Sequence, residues 1–338
     1  MAEMFDEMDR APAVYRPSAF WEHFNRLNLD QIGRHGLEHF KRTVNQNYFN
    51  WLPTDFSDNQ FRNVLADWAA APDLSPLRVD MEPEPFLEGF FAANPLLERD
   101  TRDTYALFVA LLCSFTKRRD PEGVFDRLAE PAEGNPIRIT LDGRAVSQDL
   151  ANSVRERNTL VAEAGMGPNP VIAELGAGYG RLAYVLLQTL PCRYLIFDIP
   201  PALHVAQHYL PAVLPGRRVF RFRHIDRFED VEAEIAAADV CFFTPNQLAL
   251  LPPQLVEVFV SISSLGEMRQ EQIAHYLELM GTATTRAIYL KQWQVSTNTL
   301  DQITIARDAY RMGPAWQPRF NRPDAVQDQF FEALWVRK

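Results

Sequence analysis

Three glycines on alternate positions, Gly176, Gly178 and Gly180, follow the apolar run Val-Ile-Ala-Glu174-Leu and precede residues 182–190, a stretch dense in aliphatic side chains. So short an apolar run suits a buried parallel strand, and the segment after it suits a helix packed on a sheet. The glycines then lie at a strand-to-helix turn. There a missing Cβ lets a ligand approach the backbone, and the helix start offers unpaired N–H groups. Eighteen residues past Gly180, a second apolar run, residues 194–197, ends in Asp198. An acid at that point can accept both hydroxyls of a ribose, so the chemistry indicated is recognition of a nucleoside-like cofactor.

The spacing separates two cofactor classes. A dinucleotide fingerprint needs G-x-G-x-x-G, and the position for its third glycine is Arg181. Glu174-x-Gly176-x-Gly178-x-Gly180 instead has the form suited to S-adenosylmethionine, which lacks a pyrophosphate and needs room for a methionine chain and a ribose. Asn246 and Gln247 follow a third apolar run, and their amides can both donate to and accept from an adenine edge; turn chemistry after Pro245 is the alternative reading. After a fourth run, Ser264 and Glu267 fall where a sulfonium would sit. Glu267 could serve as a base or bind a hydroxyl, or the pair could form a helix capping box. His224 and His275 are further candidate bases, because transfer to a hydroxyl needs a group that accepts its proton. His204 and His208 stand one helical turn apart but lack a third ligand, so no metal is expected.

These residues require a scaffold of alternating strands and helices, and from Val171 onward the chain supplies one. Residues 171–175, 194–197, 239–244, 256–263 and 287–291 read as parallel strands, with 330–336 as a final antiparallel one. The prediction is a doubly wound, mostly parallel α/β sheet. Residues 201–210 read as a helix, and 219–238 as an insertion. Upstream, residues 20–29, 37–49 and 105–115 show helical spacing, residues 137–141 suggest a hairpin turning at Asp142-Gly143, and Ser147 reads as the N-cap of a helix running to about Ala164. We therefore expect a helical accessory region over 1–120 and a cofactor-binding domain over 121–338.

Composition narrows the partners. With 338 residues, 47% of them apolar, the chain can bury a large core, and its net charge of −10 argues against a nucleic acid partner. The longest apolar stretch, residues 105–113, is too short to span a bilayer, and the acidic N-terminus has no signal-peptide core, so a cytoplasmic protein is expected. Cys113, Cys192 and Cys241 read as reduced core thiols. In the accessory region Asn45, Gln46, Asn47 and Tyr48 bring amides and a ring together, as carbohydrate recognition does, although an aromatic core helix with a polar outer face is the alternative.

Taken as a set, several segments resemble the sugar O-methyltransferases encoded in bacterial polysaccharide and glycosylated natural-product clusters. They are Phe40-Lys-Arg42 through Asn45-Gln-Asn-Tyr-Phe-Asn50, Glu133-Gly-Asn-Pro136, Ser147-Gln-Asp-Leu-Ala-Asn-Ser153, the glycine loop, Phe197-Asp-Ile-Pro-Pro-Ala-Leu203, Pro245-Asn-Gln-Leu248, Ser263-Ser-Leu-Gly-Glu-Met268 and Tyr289-Leu-Lys-Gln-Trp293. The resemblance implies a class I methyltransferase fold with a seven-stranded sheet, S-adenosylmethionine as cofactor, and a saccharide or glycosylated small molecule as methyl acceptor. It implies cofactor contacts from Glu174, Gly176, Gly178, Gly180 and Asp198, with Gln148 closing over the methionine end; Asn246, Gln247 and Ser264 join them as cofactor candidates by their positions after the third and fourth runs. Candidate acceptor contacts, from composition and from position beyond a strand end, are Asn45, Gln46, Asn47 and Tyr48, with Lys291 and Trp293. Phe197-Asp-Ile-Pro is similar as well to O-methyltransferases acting on non-sugar alcohols and phenols, and a non-catalytic cofactor-binding protein stays open, as does homo-oligomerisation.

Overall fold

The computed structural model describes residues 1–47, 52–82, 96 and 98–338. Helices occupy α1 (Ala2–Arg10), α2 (Ala19–His35), α3 (Asn59–Ala70), α4 (Arg99–Arg118), α5 (Val124–Arg127) and α6 (Gln148–Glu163). Further along come α7 (Arg181–Thr189), α8 (Pro200–Val213), α9 (Glu232–Ala237) and α10 (Gln270–Ala283). Two compact units result. One comprises Met1–Arg26, Thr159–Asp324 and Gln329–Lys338; the other comprises Leu27–Asn158 and Ala325–Asp328.

The second unit carries a small antiparallel sheet of β1 (Val79–Met81), β2 (Ile139–Leu141) and β3 (Arg144–Val146). The predicted hairpin is β2–β3. Asp142 and Gly143 both have positive φ, 54° and 77°, as a two-residue turn matched to strand twist demands. The predicted cap of α6 is present, with Ser147 Oγ accepting from the N–H of Leu150 at 2.9 Å. Of the stretch 37–49, read as a helix, the described residues 37–47 differ from that reading. Leu37–Arg42 and Val44–Asn47 are 3-10 turns. Side-chain ties shape this stretch: Lys41 pairs with Glu130 in a buried contact, and Arg42 donates to the carbonyls of Asn135 and Pro136 at 2.9 and 3.0 Å.

The first unit is built on a mixed sheet with the strand order β12-β13-β9-β8-β4-β5-β7-β6. Its strands are β4 (Val171–Leu175), β5 (Arg193–Phe197), β6 (Val219–Phe220), β7 (Val240–Phe243), β8 (Val256–Ile262), β9 (Thr284–Trp293), β12 (Trp316–Pro323) and β13 (Phe330–Arg337). A separate hairpin, β10 (Val295–Asn298) and β11 (Ile303–Ala306), precedes β12. Strands β6, β7, β5, β4, β8 and β9 run parallel, and β13 is antiparallel to both β9 and β12. Parallel strands are covered on both faces, which is why Ile172, Leu195, Phe242, Phe259 and Ile288 are all buried.

The expected count of seven strands is corrected to eight. The extra edge strand, β6, has two residues, too few to show any hydrophobic period, and it lay within the presumed insertion at 219–238. The other edge strand, β12, was also missed; it exposes most of its residues and contains Pro318 and Pro323, composition that a sheet edge tolerates. Among the described residues, no helix is long and apolar enough to cross a membrane. The three cysteines are free and buried, and burial pushes each thiol up to about 12.

Candidate active site

From β4 the chain turns to β5 on one side, while β8 takes its place on the other, so the strand order reverses at β4. Ligands of α/β sheets bind beyond the strand ends at such a reversal. The turn after β4 carries Gly176, Gly178 and Gly180 with φ of 78°, 59° and 90°, all in the left-handed region that glycine adopts without strain. Their surroundings differ. A Cβ on Gly176 would lie 2.3 Å from Ser264 Cβ, and one on Gly180 would lie 2.8 Å from Leu210 Cδ1. A Cβ on Gly178 would meet nothing within 4 Å, so this glycine alone presents a bare backbone to open space.

Asp198 completes the turn from the tip of β5. Its Oδ2 accepts from the N–H of Gly178 and its Oδ1 from the N–H of Ile199, both at 2.7 Å. Each oxygen keeps acceptor capacity beyond its amide partner. Burial pushes the carboxyl up to about 7, against the downward pull of those two N–H donors. Glu174 lies inside β4, where it accepts from Tyr194 Oη at 2.7 Å. Ser264 Oγ donates to the carbonyl of Leu175 at 3.1 Å and lies 3.0 Å from Ser261 Oγ, bracing the turn after β8 against the glycine turn.

Past β7, Asn246 Nδ2 donates to Glu7 Oε1 at 2.7 Å, while its Oδ1 is enclosed without a hydrogen-bond partner. Gln247 turns inward: its Oε1 accepts from the N–H of Thr244 at 3.2 Å and its Nε2 donates to the Arg223 carbonyl at 2.9 Å. His224 is tied to the same acid, with Nδ1 2.5 Å from Glu7 Oε2 and Nε2 3.2 Å from Asp226 Oδ1. Its hydrogen bond to Glu7, then that to Asp226, raise its affinity for a proton. His275 packs edge-on to Tyr15 with ring centres 5.0 Å apart, and its Nε2 is enclosed without a partner.

Glu267 follows β8 in a short 3-10 turn, Leu265–Glu267. The residue is half-buried, yet its Oε2 is wholly enclosed and makes no hydrogen bond. Burial pushes its carboxyl up to about 8, the negative charge of Asp198 adds to the rise, and a hydrogen bond from the Trp21 side chain opposes it. Ser18 Oγ donates to the Glu267 backbone carbonyl at 3.0 Å. Tyr310 also reaches this turn, its hydroxyl enclosed without a partner and 3.1 Å from where a Cβ on Gly266 would be. Sequence reasoning missed Glu7, Ser18, Trp21 and Tyr310. No local spacing marks them, because each meets this site from a distant part of the chain.

Lys291 and Trp293 belong to the packing of β9. Lys291 Nζ pairs with Asp324 Oδ2 at 3.2 Å, both side chains buried, and the Trp293 ring lies 4.5 Å from that of Phe330. In the other unit the amides of Asn45, Gln46 and Asn47 are buried. Asn47 Nδ2 donates to Asn28 Oδ1 and Gln31 Oε1, both at 2.6 Å, and Gln46 Nε2 donates to the Lys41 carbonyl at 2.7 Å. Tyr48 lies outside the described residues. Gln148, in that same unit, accepts from Tyr105 Oη at 3.3 Å.

No family model matches the sequence, and no curated protein matches it. Solved structures similar to the chain include magnesium protoporphyrin IX methyltransferase from Synechocystis with bound SAH, at 15% identity and a TM-score of 0.40 over 56% of this chain and 86% of that one. An SAM-dependent methyltransferase from Leishmania major is 16% identical, with a TM-score of 0.38 over 56% and 72%. One from Aquifex aeolicus is 12% identical, with a TM-score of 0.35 over 53% and 88%.

Proposed function

We propose that the chain is an S-adenosylmethionine-dependent O-methyltransferase whose acceptor is a hydroxyl of a saccharide or glycosylated small molecule. The observation that carries this reading is the pairing of Gly178 with Asp198. A left-handed glycine with an open face donates its N–H to a buried acid at the tip of the next strand. That cradle suits a nucleoside without a pyrophosphate: the bare backbone admits the ligand closely, and the spare acceptor capacity of Asp198 suits a ribose diol. The enclosed, unpartnered Asn246 Oδ1 is an acceptor of the kind an adenine amino group uses. The saccharide acceptor is supported by the segments of likeness quoted above, from Phe40 to Trp293.

When bound, S-adenosylmethionine supplies a methyl group activated by a positive sulfonium. The chain's own residues have two tasks there. Gly176, Gly178, Gly180 and Asp198 orient the nucleoside, and Glu267 accepts the proton of the acceptor hydroxyl as its oxygen becomes the nucleophile. A base works best with a pKa near the working pH, and a carboxyl pushed up to about 8 meets that condition. His224 is assigned no such role, since both its ring nitrogens are engaged by Glu7 and Asp226.

The test is incubation with methyl-labelled S-adenosylmethionine and a panel of nucleotide-sugars, free glycans and phenols. Label on a sugar hydroxyl is the expected result. Label on phenols alone overturns the saccharide acceptor, and absence of cofactor binding in a calorimeter overturns the whole reading.

A further inference from the structure

Glu267 is the end point of contacts from two remote segments. From the N-terminal side, Ser18 Oγ holds its backbone carbonyl at 3.0 Å, and the Trp21 side chain hydrogen-bonds its carboxylate. The start of α2 is itself pinned close by, since the N–H groups of Ala19 and Phe20 donate to Asp301 at 2.9 and 3.0 Å. Asn298 joins these anchors, with its Nδ2 2.7 Å from Asp301 Oδ2 and 3.4 Å from the Glu267 carbonyl. From the C-terminal side, Tyr310 brings an enclosed hydroxyl to Gly266, near enough that a single added carbon there would sit 3.1 Å from its oxygen. Both Glu267 Oε2 and Tyr310 Oη are enclosed without a hydrogen-bond partner. Burial raises the pKa of the Tyr310 hydroxyl, and the negative charge of Glu267 reaches it and adds to the rise. Leaving two such atoms unmatched is costly, and a ligand hydroxyl, which donates once and accepts twice, can satisfy both.

We propose that Trp21 and Tyr310 complete the acceptor end of the site, Trp21 as a positioning residue that orients the Glu267 carboxylate and Tyr310 as a donor to the acceptor's oxygen. The assignment rests on the reading of Glu267 as the proton acceptor. In it, the acceptor hydroxyl gives its hydrogen bond to Glu267 and receives one from Tyr310, which fixes the oxygen from two directions. Trp21 keeps the carboxylate from turning away and favours its charged form.

Carboxyl carbon NMR on protein labelled in its glutamates, assigned through Glu267→Gln, reads the first half without turnover. Trp21→Phe, which keeps the ring and removes the N–H, should move the Glu267 midpoint to higher pH and shift the acidic limb of the kcat profile the same way. Tyr310→Phe should leave that midpoint in place and raise the acceptor KM about tenfold. In a Glu267→Gln background, Trp21→Phe should cost nothing further. An unmoved Glu267 midpoint in a Trp21→Phe protein with native circular dichroism overturns the role of Trp21, and an unchanged acceptor KM in Tyr310→Phe overturns that of Tyr310. Failure of the function itself would look different: wild-type protein would transfer no methyl group, while the NMR midpoint would still report on Trp21.

Discussion

The backbone N–H of Gly178 and the carboxylate of Asp198 meet at 2.7 Å, joining the turn after β4 to the tip of β5. Gly178 is free of steric contact on its Cβ side, whereas Gly176 is not. The two glycines should therefore fail in different ways. Gly178→Ala retains the fold at a cost of about 1–2 kcal/mol for a side chain in the left-handed region, and its cofactor affinity falls at least tenfold in a calorimeter. Gly176→Ala drives a carbon into Ser264 and lowers the thermal midpoint clearly more than Gly178→Ala does, as a melting comparison will show.

Raised carboxyl pKa values set the pH dependence of stability. Asp198 at about 7 and Glu267 at about 8 hold protons in the folded chain that the unfolded chain, near pH 4, releases. Stability from these groups is full below about pH 4 and is lost as pH rises toward 7 and 8, because the folded state binds more protons in that window. Asp198→Asn and Glu267→Gln should thus gain stability relative to wild type as pH climbs from 4 to 8. Melting curves across that range check the slope, and parallel curves for wild type and variants would contradict it.

Binding of a cation beside the same two acids should expel protons. Near pH 7 both carboxyls are partly protonated, and a sulfonium favours their charged forms. The calorimetric enthalpy of S-adenosylmethionine binding should then vary with the ionisation enthalpy of the buffer. The product S-adenosylhomocysteine, whose sulfur is a neutral thioether, should show a smaller dependence, and equal dependence for both ligands would exclude the linkage.

Lys291 separates a structural role from an acceptor-binding one. It pairs with Asp324 at 3.2 Å, with both side chains buried. Lys291→Met leaves Asp324 buried without this partner and should destabilise the protein by about 3–5 kcal/mol, measured by urea unfolding. A stable variant with only a raised acceptor KM would restore the role suggested by sequence.

Much of this architecture is legible in the chain because its signals are local. Strands β4, β5, β7 and β8 are buried on both faces and so read as apolar runs, and the glycine turn with Asp198 needs only the residues between positions 174 and 198. Strand β6 has too few residues to carry a pattern. Asn45, Gln46 and Asn47 have the composition of a recognition surface, yet 3-10 turns bury all three, and two of the amides bond to neighbouring groups. Trp21 shares a helix with Phe20 and Phe24 and reads there as one more core aromatic; only the folded chain brings it to Glu267. Tyr310 is hidden for the same reason.

Ser264 leans on Gly176 so closely that no carbon fits between them, and its hydroxyl grips the carbonyl of Leu175. The segment that would seat the cofactor and the segment that carries Glu267 are therefore braced directly against each other. Under the proposed function, a ligand settling into the first would also set the second, so initial-rate kinetics should show the cofactor entering before the alcohol and the spent nucleoside leaving last.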